Sequence, residues 1–175
     1  MKVEGGRIYL KKLSFENVSY NYADWMNDAE TNQFLESRYK TWTTEDIIEY
    51  VKATNESTDN LLFGLFLKEN DEHIGNIKIG NINRIHKFAD IGLIVGNKGR
   101  WGKGYGTEAI DLGSRYAFEV LGLKKLTAGI YANNIGCYKA FIKAGYYEAG
   151  RFKKQRLYKE QYVDEILVER SAGGE

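Results

Sequence analysis

The 175-residue sequence predicts an α+β fold, a mixed but mostly antiparallel sheet of about seven strands flanked by helices. Three observations predict it. Segments with two-residue alternation come in neighbouring groups separated by polar turns, as hairpins do. Segments with helical spacing fall after the first strand and then singly between later strands. One strand, ending near Val95, runs into a glycine-rich turn from Trp101 to Thr107 that opens a helical segment.

Each element follows in order. Arg7 to Leu13 alternates as a strand. Asn17 to Asn27 and Ala29 to Glu36 carry aromatic and aliphatic residues at helical spacing. Thr43 to Ala53 opens on Thr-Thr-Glu-Asp, an N-cap with acidic residues in the first turn. Leu61 to Lys68 and His73 to Ile82 are strand-like and flank the polar turn Glu69-Asn70-Asp71-Glu72, and Lys87 to Val95 makes the next antiparallel strand. Helical spacing returns from Thr107 to Val120. Lys125 to Tyr131 is a strand, and Asn134 to Lys143 a helix that Gly145 ends in the left-handed cap position. Tyr146 to Arg156 and Gln161 to Glu169 close the chain as strands. No proline, repeat or low-complexity tract marks a linker, so one domain over 1–175 is expected, ordered from 7 to 170, with Met1 to Gly6 and Ser171 to Glu175 loose.

Charge narrows the partners. Lys plus Arg number 25 and Asp plus Glu 24, which argues against a broad pull toward nucleic acid or an anionic membrane and for a small molecule. The single cysteine, Cys137, cannot form an internal disulfide, and no leader or run of about 20 apolar residues is present, the pattern of a cytoplasmic protein. His73 and His86 stand at no metal-ligand spacing with Cys137 or each other, so no metal is expected and both read as surface or hairpin residues.

A strand that feeds a glycine turn and then a helix leaves successive N–H groups unpaired and pointing one way, where they and the helix dipole hold a phosphate. A phosphate-bearing cofactor is therefore expected. The turn is neither a P-loop, which needs Gly-x-x-x-x-Gly-Lys-Ser/Thr, nor a dinucleotide fingerprint: Gly102, Gly104 and Gly106 alternate, and the next strand ends Gly129-Ile-Tyr-Ala132 with no acid at its tip.

Trp101-Gly-Lys-Gly-Tyr-Gly-Thr-Glu-Ala109 resembles the acetyl-CoA loop of the GNAT acyltransferases, especially the branch of ribosomal-protein alanine acetyltransferases and amino-sugar N-acetyltransferases. Asn134-Ile-Gly-Cys-Tyr-Lys-Ala-Phe-Ile-Lys-Ala-Gly-Tyr146 is similar to that family's second signature. The likeness covers most of the chain. It implies that the backbone of Gly102, Lys103, Gly104, Tyr105, Gly106 and Thr107 grips the pyrophosphate of acetyl-CoA, glycine being needed because a Cβ would block the approach. It further implies that one or two of Lys98, Arg100 and Lys103 reach the phosphates, that Trp101 stands where the family usually has Gln or Arg, and that Asn134 and Lys143 lie beside the cofactor. Ile94 and Val95 are then the strand that pairs with pantetheine, one N–H polarising the thioester.

Direct attack by an amine needs no covalent intermediate, so Cys137 reads as a small buried residue. The family's tyrosine acid falls at Phe141, which has no proton to give. Tyr138, one turn earlier, is a substitute or an ordinary packed aromatic, and water is another proton source. Asp90 stands where relatives often carry an acid and is the candidate base, with a structural role as the alternative. Trp25, Asn27, Asp28, Glu36, Arg38, Tyr39 and Trp42 combine aromatic plates with polar groups and form the candidate acceptor wall, of which Trp25, Glu36, Arg38 and Tyr39 are singled out. The expected acceptor is a small-molecule amine, above all a nucleotide-linked amino sugar. The alternatives are the N-terminus of a ribosomal protein or peptide, and a non-catalytic acyl-CoA-binding module. A homodimer is compatible with the reading.

Overall fold

The computed structural model describes residues 2–16 and 18–173, so the expectations for Met1, Asn17, Gly174 and Glu175 lie outside the described residues. Eight strands form one sheet in the order β1-β2-β3-β4-β5-β6-β8-β7. They are β1 Lys2–Glu4, β2 Ile8–Lys12, β3 Leu61–Leu67, β4 His73–Asn83, β5 Phe88–Val95, β6 Lys125–Tyr131, β7 Tyr147–Tyr158 and β8 Gln161–Ser171. The strand beyond the expected seven is β1, which turns through Gly5 and pairs antiparallel with β2, Val3 opposite Leu10. At the other end β8 runs to Ser171, opposite Lys125. Both expected loose ends therefore include paired strand.

Helices α3 (Tyr105–Arg115, continued by a wide turn over Tyr116–Val120) and α4 (Ile135–Lys143) cover one face, over a core that includes Leu10, Phe63, Ile77, Ile91, Ile110, Leu126, Phe141 and Val168. Helices α1 (Asn21–Asn27) and α2 (Thr44–Glu56) cover the other, over Tyr9, Trp25, Ile47, Val51 and Phe66. Alternation sorts each strand between the two. On β5, Ala89, Ile91 and Leu93 face α3 while Ile94 faces α1, so Asp90 and Gly92 share the α1 face. No described helix is long and apolar enough to cross a membrane.

Local signals account for most boundaries. Thr43 and Asp46 form a reciprocal capping box at α2, and Asn134 caps α4 by accepting from the Cys137 N–H at 3.3 Å. Gly145 ends that helix at φ +84°. The stretch from Ala29 to Glu36 is not the expected helix. The Asp28 carboxylate accepts from the Thr31 N–H (2.8 Å) and hydroxyl (2.6 Å), Asn32 Nδ2 donates to the Met26 carbonyl (2.7 Å), and the backbone makes only isolated turns, Asn32 N–H to Asp28 C=O and Leu35 N–H to Asn32 C=O, before one tight helical turn at Glu36–Tyr39. Short polar side chains here satisfy backbone groups that a helix would have paired internally. His73 is a hairpin residue, opposite Phe66 across β3 and β4, and not a surface one. It is buried, stacked on Phe66 (4.8 Å between centroids), edge-on to Trp25, and bonded through its two ring nitrogens to Ser19 and Asn76 at 2.8 Å each.

The connectivity opens the sheet at one place. Strands β5 and β6 pair in parallel only from Phe88↔Lys125 to Asp90↔Thr127. Beyond that, β5 stays with β4 as far as Gly75↔Val95 and β6 stays with β8 as far as Tyr131↔Glu165. The two strands part into a V whose arms are Ile91–Val95 and Ala128–Tyr131.

Candidate active site

At the mouth of the V, the six N–H groups from Gly102 to Thr107 donate to no backbone carbonyl among the described residues, the first such bond of the helix being Glu108 N–H to Gly104 C=O at 3.1 Å. Gly102 and Gly104 hold φ of +71° and +84°, in the left-handed region, and a Cβ on Gly102 would meet nothing within 4 Å. Gly106 differs. It sits in the first turn of α3, where a Cβ would make ordinary contact with Leu93 and Val95 at 3.6 and 3.7 Å. Conformation and open space, more than clash, account for the glycines. The loop fits a diphosphate: unpaired donors converge at a helix N-terminus, with nothing of the chain standing over Gly102.

The cations around this turn are not equivalent. Arg100 is turned away to Glu72 and Glu69, and Lys98 to Asp28 and Glu30, both at 3.1 Å. A phosphate would have to compete with those carboxylates for either side chain. Lys103 makes no ion pair among the described residues. Arg7, marked in the sequence only as the start of a strand, donates from Nη1 to the Lys103 carbonyl at 2.8 Å and from Nε to Glu108 at 3.1 Å, with its guanidinium over the Tyr105 ring. It lines, with Gly104, Thr107 and Lys143, a cleft of about 650 Å³ beside the loop. Nothing short of the fold could have pointed to Arg7, since β2 and α3 meet across about a hundred residues of sequence.

The register decides which backbone groups face the gap. Gly96 N–H bonds the Ile74 carbonyl at 2.9 Å, so in the antiparallel ladder Ile94 and Gly92 exchange bonds with β4 while Leu93 and Val95 turn theirs toward β6. Leu93 and Val95 thus turn their backbone groups to the gap, whereas the Ile94 backbone is paired with β4. The Val95 carbonyl accepts from Trp101 Nε1 at 2.6 Å, which sets the indole on the β5 edge of the gap.

On the α1 face the gap meets a groove of about 590 Å³ whose lining includes Asp90 and Gly92 of β5, Thr127 and Gly129 of β6, Arg156 of β7, and Glu165 and Glu169 of β8, with Lys78 at its side. Asp90 lies at the closed end of the V. Both its oxygens are engaged, by Thr127 Oγ1 and Asn81 Nδ2 at 2.7 Å each, which makes it a pin between β4, β5 and β6. Glu165 lies farther along. Its side chain is 8% exposed and accepts from Arg156 Nη2 at 2.7 Å. Arg156 also reaches Glu36 at 3.2 Å, and Glu36 accepts from the Tyr131 hydroxyl. Burial, then that bond, raise the Tyr131 pKa and keep its proton on. A bulge in β7 between Phe152 and Arg156 turns Arg156 into this cluster.

The remaining expected residues divide. Glu36 and Arg38 belong to the acceptor-side cluster: Arg38 donates to the Leu35 and Leu157 carbonyls and to the Tyr131 hydroxyl. Tyr39 is largely exposed and bonded to Arg38. Trp25 is core, its ring laid on the backbone of Gly96, where a Cβ would come within 1.9 Å. Tyr138 donates to Glu148 on edge strand β7 at 3.3 Å, two strands from the gap, so the acid assigned to it loses its geometry. Phe141 is buried edge-on to Tyr146. Cys137 is partly buried against the core, and loss of solvation pushes its thiol up to about 12, far from a thiolate at neutral pH. No cluster of three or more metal-ligating side chains occurs among the described residues.

The comparisons agree with this geometry. The family model described as an acetyltransferase (GNAT) domain matches residues 7–147. Bacillus subtilis "Probable N-acetyltransferase YjcK" is 34% identical over 159 residues, spanning 87% of each chain. Among solved structures, spermidine N-acetyltransferase from Vibrio cholerae, in complex with CoA and spermine, superposes with a TM-score of 0.85 at 16% identity over 96% of this chain and 97% of that one. Mycobacterium smegmatis RimJ, in complex with CoA-disulfide, gives 0.84 at 18% identity over 98% and 88%. This chain belongs to the GNAT family and is an N-acetyltransferase that draws its acetyl group from acetyl-CoA.

Proposed function

We propose that the enzyme acetylates the primary amine of a small cationic acceptor that enters from the α1 face. One observation carries this reading: the amide cradle and the carboxylate-bearing groove approach the same β5–β6 gap from opposite faces of the sheet. The cradle's free N–H groups and Arg7 suit the diphosphate, and Leu93 and Val95 offer N–H and C=O to a pantetheine arm lying along β5 as an added strand. An N–H on that edge polarises the thioester carbonyl. The amine then attacks directly, with no role for Cys137, and the leaving thiolate, of intrinsic pKa about 8.5, takes its proton from water.

Charge favours a cationic acceptor over the nucleotide-linked amino sugar of the sequence reading. A sugar diphosphate needs several free cationic donors, yet Arg156 is shared between Glu36 and Glu165, Arg38 is engaged with carbonyls and hydroxyls, and Lys98 and Lys40 are paired with carboxylates, which leaves Lys78 as the one groove-lining cation with no carboxylate partner among the described residues, its ammonium 5.8 Å from the Tyr50 ring centroid. The groove instead places three carboxylates, Asp90, Glu165 and Glu169, within reach of an ammonium. The Vibrio cholerae neighbour, described with CoA and spermine, shares the fold on which this depends. Free-thiol release from acetyl-CoA should be followed with diamines and polyamines, nucleotide-linked amino sugars, and peptides with basic N-terminal segments. Turnover of the diamines or polyamines is expected. Turnover of the nucleotide-linked sugars alone, or of the peptides alone, would overturn the acceptor class.

A further inference from the structure

We propose that Glu165, on β8, is the catalytic base that takes the proton from the attacking amine, a reading that rests on the α1-face groove being the acceptor site. Three carboxylates line that groove, and their surroundings separate them. Each oxygen of Asp90 accepts a hydrogen bond from a neutral donor, and the residue sits where β5 and β6 are still paired. Glu169 is held by the Tyr147 hydroxyl and by Lys125 at 2.9 Å, on the far side of Thr127 from the gap. Glu165 alone reaches over the open part of the V.

Its position follows from the register and from a missing side chain. Glu165 pairs with Tyr131, but its carboxylate leans back over Gly129, so closely that a Cβ there would lie 2.2 Å from Oε1. Gly129 is two residues beyond Thr127, the last β6 residue paired with β5, and it faces the Gly92–Leu93 edge across the opening. The carboxylate therefore stands on the β6 wall, facing the β5 edge whose N–H groups would polarise the thioester. Oε1 accepts from Arg156, and Oε2 accepts from no described donor, although the side chain is 8% exposed. The oxygen over Gly129 is thus the one anchored by Arg156, and a groove-lining carboxylate with one oxygen anchored keeps the other available to accept an N–H. Arg156 does not cancel the charge, because it also serves Glu36 and two carboxylates share one guanidinium.

The balance is simple. The ammonium first gives one proton to water, and the amine lone pair then forms the C–N bond while Glu165 takes the second proton from that nitrogen and the C–S bond breaks. The thiolate takes a proton from water, and Glu165 returns its own to solvent. General-base assistance of this kind is worth roughly 10²- to 10⁴-fold.

Glu165→Gln keeps an acceptor for Arg156 and should lower kcat with the best amine by roughly 10²-fold or more, leaving the coenzyme A dissociation constant of the folded protein close to wild type. Asp90→Asn should lose less than tenfold in kcat. Gly129→Ala retains the charge but displaces the carboxylate, and should reduce kcat while coenzyme A binding persists. The amine used is whichever class wild type acetylates, so a wrong acceptor class leaves this test intact. Wild-type kcat in Glu165→Gln, or a larger loss in Asp90→Asn, would overturn the assignment.

Discussion

Gly102, Gly104 and Gly106 alternate through one loop, yet the backbone asks different things of them. Gly104 holds φ +84°, and a Cβ there would lie 3.2 Å from Arg7 Nη2. An L-residue in that conformation costs about 1–2 kcal/mol. If the free Gly104→Ala loop relaxes out of that conformation and coenzyme A restores it, binding weakens by roughly 5- to 30-fold, as read by calorimetry. Gly106 is already helical and has room, and alanine is the better helix former by up to about 1 kcal/mol. Gly106→Ala should therefore keep coenzyme A affinity within a few-fold and hold or slightly raise the melting temperature. Equal losses in both variants would mean that open space, and not conformation, selects these glycines. The loop and Asn134 were legible in the sequence because phosphate cradles and helix caps are local. Glu165 was harder, since it stands beside Asp164 at the edge of the apolar Ile166-Leu167-Val168 and nothing local separates the two carboxylates.

Helix α3 is joined to the sheet by its own first turn. Glu108 Oε1 accepts from the N–H groups of Arg7 (2.8 Å) and Ile8 (3.2 Å), and Oε2 accepts from Arg7 Nε, so one carboxylate ties the start of β2 to the cradle. Burial alone would raise the Glu108 pKa, but those two N–H bonds and the guanidinium outweigh it and the pKa is lowered. A carboxyl whose folded pKa lies below its unfolded value of about 4.3 contributes stability that is complete at neutral pH and is lost as the pH falls through that value toward the folded one. Glu108→Gln should lower stability at pH 7 by roughly 1–3 kcal/mol. It should also flatten the acid loss of melting temperature below about pH 5; an unchanged acid limb would show that the tie contributes nothing. Elements such as α2, β6 and α4 were legible because caps and alternation are written into adjacent residues. The Ala29–Glu36 stretch was not, since Asp28, Thr31 and Asn32 satisfy backbone groups in ways that spacing does not reveal.

At the scale of the molecule, the two halves of the site form by different routes, and this decides what a sequence can disclose. The cradle is one contiguous segment, whereas the groove joins Asp90, Arg156 and Glu165 with Glu36 from an irregular segment, through pairings that exist only once β8 has inserted between β6 and β7. The same division predicts how ligands act on stability. Coenzyme A would bridge the loop, the β5 edge and the Lys143 cleft, all properties of the folded state, so its binding stabilises by RT ln(1 + [L]/Kd), or about 2.7 kcal/mol at a hundred times Kd. For a chain of 175 residues that is a rise in melting temperature of roughly 5–11 °C. A cationic amine alone, held on one face by carboxylates already partly satisfied, should give much less. Scanning calorimetry with coenzyme A, with amine and with both separates these effects; a large shift from amine alone would place the dominant binding energy in the groove and contradict the cradle as the principal anchor.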